Sequence, residues 1–174
     1  MACNFPSNCV CISPTRRRGE AMPNGNLDEW DIARGRLRSL SSPEIKKFWN
    51  GYIARREKAP IVHGSLYSRW RILADDLVLS LYVANRSVGL FVRGQRGESF
   101  STTANRLSAY EPELGLALGA GLRAFHGCCY LVRLPLAVTN SENWPQGYEW
   151  LEREEMRYCR VLNELVVRGS TAKA

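Results

Sequence analysis

The stretch from residue 77 to residue 92, LVLSLYVANRSVGLFV, constrains the fold more than any other part of the chain. Its side chains alternate between an apolar set and a mixed set, which is the period-two pattern of an extended strand. The apolar set is Leu77, Leu79, Leu81 and Val83, and the mixed set is Val78, Ser80, Tyr82 and Ala84. After Asn85-Arg86-Ser87, the alternation resumes with Val88, Leu90 and Val92 opposite Gly89, Phe91 and Arg93. Two such runs joined by a short polar break predict a β-hairpin at about 77–92, at the centre of an antiparallel sheet.

Helical patterns lie on both sides of this hairpin. Ser41-Ser42-Pro43-Glu44 is typical of a capping box with proline in the first turn. Pro60 is predicted to end the helix that follows. The apolar stripe of this helix, at helical spacing, consists of Ile45, Phe48, Trp49, Tyr52 and Ile53. Further helices are predicted over 99–118, capped near Ser101 or Thr102 and interrupted at Pro112, and over 146–168. The sequence therefore predicts an α+β fold, with helices packed on a central antiparallel sheet and a long C-terminal helix.

Two further segments are predicted to be strands. In residues 68–73, Trp70 and Ile72 share one face, while Arg69 and Arg71 share the other. Residues 128–138 are apolar and rich in residues that favour strands, and Pro135 within them favours an edge position or a strand end.

The chain of 174 residues suits a single domain. Residues 1–26 lack periodicity and contain several Pro and Gly residues, so we expect a disordered tail there, with Met22 as an alternative start. A single α+β domain is predicted over 27–168, beginning with a helix over 27–40, and a frayed end over 169–174. No apolar run has the length of a membrane span and no secretory signal is recognisable, so the expected location is the bacterial cytoplasm.

The charge indicates a polyanionic partner. The formal net charge is +7, and all but four of the 24 basic residues are Arg. Arginine suits bidentate contact with phosphate, so a basic surface of this kind favours nucleic acid. A GC-rich genome would also enrich arginine, and the basic residues are spread along the chain, so this interpretation stays open.

Five residues are candidates for nucleic-acid binding. Arg69 and Arg71 flank Trp70, and arginine beside an aromatic ring can bind nucleic acid through stacking and phosphate contacts. Arg93 and Arg96 belong to a basic turn directly after the hairpin. The alternation in 68–73 is equally typical of an ordinary half-buried strand, and the apolar stripe of the first helix is typical of core.

Motifs for catalysis and for metal binding are weak. Asp75 and Asp76 are the only catalytic candidates, because they precede a strand as the first acid of a metal-dependent nuclease does. That strand carries no second acid and no lysine, and the only Glu-x-Lys, Glu44-Ile45-Lys46, lies at a helix start. Cys3, Cys9 and Cys11 do not have the spacing of a zinc site. The sequence predicts no metal ligand and no cofactor.

Several motifs, taken in order, resemble a known bacterial family. They are Phe48-Trp49, the LSLYVANRSVGLFV hairpin, Glu113-Leu114-Gly115, Trp144-Pro145 and Tyr148-Glu149-Trp150-Leu151. Over residues 42–166 the chain resembles domain-of-unknown-function family 4268, which often occurs beside restriction-endonuclease-like modules. The resemblance implies a setting in defence or DNA transactions, and it supplies no catalytic residues.

Three functions are compatible with the sequence. The first is a non-catalytic module that binds nucleic acid or a protein in such a setting. The second is a degenerate metal-dependent nuclease or phosphodiesterase that uses Asp75 and Asp76. The third is a small protein-interaction domain with no nucleic-acid role.

Overall fold

Five antiparallel strands form one sheet, in which spatial order follows chain order. The strands of the computed structural model are β1 (Ile61–His63), β2 (Ser68–Ile72), β3 (Leu77–Ala84), β4 (Ser87–Gly94) and β5 (Cys129–Pro135). The structure describes residues 39–56, 60–73, 76–123 and 128–167. The predicted tail over 1–26, nearly all of the predicted helix over 27–40 and the predicted frayed end over 169–174 lie outside these ranges.

The predicted hairpin is confirmed as the centre of the sheet. β3 and β4 pair from Leu77 opposite Gly94 to Ala84 opposite Ser87, so Asn85 and Arg86 form a two-residue connection. β5 pairs with β4 at one edge of the sheet and ends at Pro135, as the position of that proline predicts.

The described residues also contain four α-helices, which complete the α+β fold: α1 (Ser42–Ala54), α2 (Phe100–Leu107), α3 (Glu111–Leu118) and α4 (Trp144–Leu162). The break between α2 and α3 is a single 3₁₀ turn at Ser108–Tyr110, just before Pro112, which cannot continue the hydrogen-bond ladder of a helix. α4 is the predicted long C-terminal helix. Among the described residues, no helix combines the length and the apolar character that crossing a membrane requires.

The helices pack on the face that carries the apolar set of the hairpin. Leu77, Leu79, Leu81 and Val83 of β3 and Val88, Leu90 and Val92 of β4 are fully buried. Gly147 of α4 lies so close to the sheet that a Cβ there would come within 3.6 Å of Val88 and 3.7 Å of Phe48 in α1. We call this side of the sheet the core face.

α1 follows its predicted stripe with two differences. Ile45, Phe48, Trp49 and Tyr52 are fully buried, but Ile53 is 39% exposed, so its assignment to the core stripe is wrong. At 3.6 residues per turn, Ile53 lies about 80° from Ile45 and about 100° from Tyr52, at the margin of the stripe. The helix also ends at Ala54, six residues before Pro60.

Two other predicted helix ends differ from the structure. Ser99, rather than Ser101 or Thr102, caps α2, because its side chain accepts a hydrogen bond from the backbone N–H of Thr102. α4 begins at Trp144 instead of residue 146, since Pro145 is accommodated in the first turn, where its missing N–H costs nothing.

A buried carboxylate joins α1, β2 and α4. Glu155 of α4 has no solvent exposure, and it accepts a hydrogen bond from the Tyr52 hydroxyl at 2.7 Å. Arg71 of β2 donates to the other carboxylate oxygen at 3.2 Å, and Arg56 lies 3.3 Å from that oxygen. Burial, together with the nearby Glu155 charge, raises the pKa of Tyr52, so its hydroxyl stays a donor at neutral pH. The Glu155 network thus fixes both helices to the sheet.

Replacing Glu155→Ala is expected to lower the free energy of unfolding by about 3 kcal/mol, because Arg56 and Arg71 lose the charge that compensates them in a partly buried site. Urea unfolding followed by circular dichroism measures this loss. Glu152→Ala is the matched control, since Glu152 pairs at 3.4 Å with the more exposed Arg55 and should cost about 1 kcal/mol or less. Equal losses in the two variants would contradict the role given to Glu155.

Candidate functional site

The alternation of β2 places Trp70 on one side of the sheet and its two neighbouring arginines on the other. Arg69 pairs with Leu81 and Arg71 with Leu79, both of which lie on the core face. Trp70 pairs with Ser80, on the opposite side. The structure therefore separates Trp70 from Arg69 and Arg71, as the predicted strand implies.

The Arg69 side chain is buried and makes its contacts within the protein. It is 8% exposed, and its Nη1 donates to the backbone carbonyls of Ser65 at 2.9 Å and Ser68 at 2.8 Å. Its guanidinium carbon lies 5.1 Å from the ring centroid of Trp49. Burial lowers the pKa of Arg69, because the charged form loses hydration. With Arg71 bound to Glu155, neither arginine of β2 is presented to a ligand on the side of Trp70.

Arg93 and Arg96 lie beside Trp70. The guanidinium carbons are 4.9 Å and 5.3 Å from the Trp70 ring centroid, which is the distance range of cation–π contacts. The Arg93 Nε also donates to the carbonyl of Gly94 at 3.1 Å. Three of the five candidate residues, Trp70, Arg93 and Arg96, are therefore brought together.

Two more rings lie on the same side of the sheet. Phe91 pairs with Ser80 across β3 and β4, and Tyr82 pairs with Gly89. The Tyr82 ring lies directly over Gly89, since a Cβ at residue 89 would be 2.5 Å from its ring atoms. The centroids of Tyr82 and Phe91 are 6.3 Å apart, and both rings are half-buried. The absence of a side chain at residue 89 thus leaves room for the Tyr82 ring over the sheet, and the plane of the Phe91 ring is inclined to it by 47°.

Arg133 of β5 pairs with Gly89 and is exposed, which adds a third arginine to this side. We call this surface the aromatic face and define it by its three rings and three arginines: Trp70, Tyr82, Phe91, Arg93, Arg96 and Arg133. Ile72 and Val62, at its β1–β2 margin, are 56% and 40% exposed.

Nine of the thirteen described arginines form two groups that differ in the partner of the guanidinium. Six of them lie within 4 Å of a Glu carboxylate: Arg55, Arg56, Arg71, Arg106, Arg153 and Arg157. Within the part of the chain that the structure describes, Arg93, Arg96 and Arg133 have no such carboxylate partner. The aromatic face therefore carries uncompensated positive charge beside half-exposed rings.

Of the two acidic candidates, the structure describes only Asp76. Asp75 lies outside the described ranges. Asp76 precedes β3 in the left-handed region, with φ of 57°, and its carboxylate accepts a hydrogen bond from Gln95 Nε2 at 2.5 Å. Among residues 39–56, 60–73, 76–123 and 128–167, no three His, Cys, Asp or Glu side chains form a group that could hold a metal ion.

The thiols of Cys128, Cys129 and Cys159 are poor nucleophiles at neutral pH. Burial raises the pKa of each to about 11, so the reactive thiolate is scarce. Cys3, Cys9 and Cys11 lie outside the described residues.

Sequence reasoning did not single out Tyr82, Phe91 or Arg133. The alternation already placed Tyr82 and Phe91 opposite the apolar set of the hairpin, so the signal for a shared face was present. The pairing of Arg133 with Gly89 depends on the β4–β5 register, which contains a bulge between Leu90 and Val92 and follows no local sequence signal.

Comparison of the chain with protein-family models, with curated proteins and with solved structures gives no match in any of the three. The resemblance to domain-of-unknown-function family 4268 therefore stays a prediction.

Substituting Arg69→Gln is expected to lower the free energy of unfolding by about 2 kcal/mol, since two carbonyls lose their donor and the contact with Trp49 is lost. Arg133→Gln removes the same charge from an exposed position and should change stability by less than about 0.5 kcal/mol. Chemical unfolding of both variants measures the difference. A cost for Arg133→Gln as large as that for Arg69→Gln would contradict the assignment of one arginine to the interior and the other to the surface.

Proposed function

We propose that this protein is a non-catalytic nucleic-acid-binding module and that the aromatic face is its binding surface. The observation that carries the proposal is the grouping of Arg93, Arg96 and Arg133 on one side of the sheet, without a carboxylate partner among the described residues. A guanidinium that is not neutralised by a carboxylate can form charge-assisted hydrogen bonds to phosphate oxygens.

The contact that Arg93 and Arg96 make with Trp70 is compatible with phosphate binding. A cation–π contact at an exposed site is worth about 0.5–1 kcal/mol, which is less than a charge-assisted hydrogen bond contributes. The ring therefore holds both cations at the surface without competing strongly with an incoming phosphate. The net charge of +7 favours the approach of a polyanion from a distance.

The setting of this function is part of the same proposal. A cytoplasmic role in bacterial defence or DNA transactions is what the resemblance to domain-of-unknown-function family 4268 implies. Binding of a protein partner at the same face is the competing possibility, and it predicts that nucleic acid does not bind. Nuclease chemistry is not proposed, because no described group of side chains favours it over binding.

The double substitution Arg93→Gln/Arg96→Gln is expected to weaken nucleic-acid binding at least about tenfold at 50 mM salt, because two phosphate contacts are lost. The plot of log affinity against log salt concentration should also become less steep, by about 1.4 for a single strand or about 1.8 for a duplex, at about 0.7 or 0.9 for each phosphate contact. Fluorescence anisotropy with labelled oligonucleotides measures both quantities.

The matched control is Arg153→Gln/Arg160→Gln, which removes the same charge from exposed positions on α4. This variant should keep nearly all of the affinity and the salt dependence of the natural chain. The proposal is wrong if the natural protein binds neither DNA nor RNA at 50 mM salt. It is also wrong if the two double variants lose affinity equally.

A further inference from the structure

We infer that the ligand of the aromatic face is a single strand, whose bases stack on Phe91 and Tyr82 while Arg93, Arg96 and Arg133 hold its phosphates. This inference rests on the proposed function and narrows its substrate class from nucleic acid in general to unpaired DNA or RNA. It also divides the face into two parts with different roles, which can be measured separately.

The stacking role belongs to Tyr82 and Phe91. Stacking requires the flat side of a ring to be accessible, and the Tyr82 ring lies over Gly89 so that its inner side is turned to the sheet. Phe91 is on the adjacent strand with its centroid 6.3 Å away, and both rings are half-buried. The two ring planes are inclined to each other by 47°, so each ring can receive one base of a strand whose bases are splayed apart.

Trp70 has a different role, because its ring is already in contact with two guanidinium groups. Arg93 and Arg96 approach the Trp70 centroid to 4.9 Å and 5.3 Å. Trp70 is therefore a positioning residue, which holds the two arginines next to the stacking rings. Arg133 lies in the same cross-strand row as Tyr82 and Gly89, so positive charge flanks the rings on two sides.

A double helix does not suit this surface. Four strand spacings of about 4.8 Å make the sheet about 19 Å wide, whereas the major groove of B-DNA is about 12 Å wide. Bases in a duplex are stacked on each other and present only their edges, so the rings of Tyr82 and Phe91 cannot stack on them. Unpaired bases present their flat sides, which aromatic rings bind with little dependence on sequence.

The inference is tested by anisotropy with single-stranded DNA, single-stranded RNA and duplex DNA probes of about 12 nucleotides, in the range of single-strand sites on sheets. The natural protein should bind at least one single strand at least about tenfold more tightly than the duplex. Phe91→Leu should weaken single-strand binding about fivefold to a hundredfold, because one stacking platform is lost. Its salt dependence should equal that of the natural chain, since no phosphate contact is removed.

The matched conservative variant is Phe91→Tyr, which keeps a ring and should therefore lose much less affinity than Phe91→Leu. Tyr82→Leu with Tyr82→Phe repeats the comparison on the neighbouring strand, which covers the case in which a Phe91 variant does not fold. Thermal melting establishes that the variants are folded before binding is compared.

The outcomes separate this inference from the proposed function. If duplex and single strands bind equally well and the ring variants bind like the natural chain, while Arg93→Gln/Arg96→Gln is weakened, the single-strand inference is wrong and the proposed function stands. If ring removal changes the salt dependence as much as arginine removal does, the division of roles is wrong. If no probe binds at 50 mM salt, both are wrong.

Discussion

The orientation of β2 in the sheet, and with it the position of Trp70, depends on the Glu155 carboxylate. Because it binds Arg71 at 3.2 Å and accepts a hydrogen bond from Tyr52, it fixes which side of β2 faces the helices. Neighbouring residues of a strand point to opposite sides, so committing Arg71 to the core face commits Trp70 to the other side. A carboxylate buried in α4 thereby determines where an aromatic ring meets solvent.

The two faces of β3 and β4 differ in what fills them. On the core face, branched aliphatic side chains occupy every position of β3 and β4 except Gly94, and they exclude water between the sheet and the helices. On the aromatic face, Ser80 and Gly89 contribute little volume, and rings from neighbouring strands cover them. A large ring over a small cross-strand partner restores packing that the small residue cannot provide, and the rings of Tyr82 and Phe91 stay half-buried there.

The sequence predicted the elements that depend on local periodicity. It did not predict side-chain partners, which depend on contacts between residues far apart in the chain. The alternation of side chains predicted the hairpin, and the capping box with its apolar stripe predicted α1, because each of these signals lies within a few residues. Arg71 and its partner Glu155 are 84 residues apart, so no local pattern distinguishes this arginine from Arg93, which has no carboxylate partner among the described residues. The candidate set was therefore mixed: Trp70, Arg93 and Arg96 meet, Arg69 and Arg71 lie on the core face, and Asp75 lies outside the described residues.

The net charge alone therefore said little about the surface, since arginines with opposite roles contribute equally to it. An arginine paired with Glu at about 3.2 Å is a poor phosphate ligand, because phosphate must first displace a carboxylate that is already in place. An arginine in contact with a tryptophan ring loses only a cation–π contact when it binds phosphate, and this contact is weaker than an ion pair with Glu. The ring also leaves the positive charge of the arginine uncompensated. What makes the aromatic face the strongest candidate is thus the kind of partner its arginines have, and not their number. Arginines paired with Glu can be distinguished from those beside Trp70 only when the pairing of the strands is known.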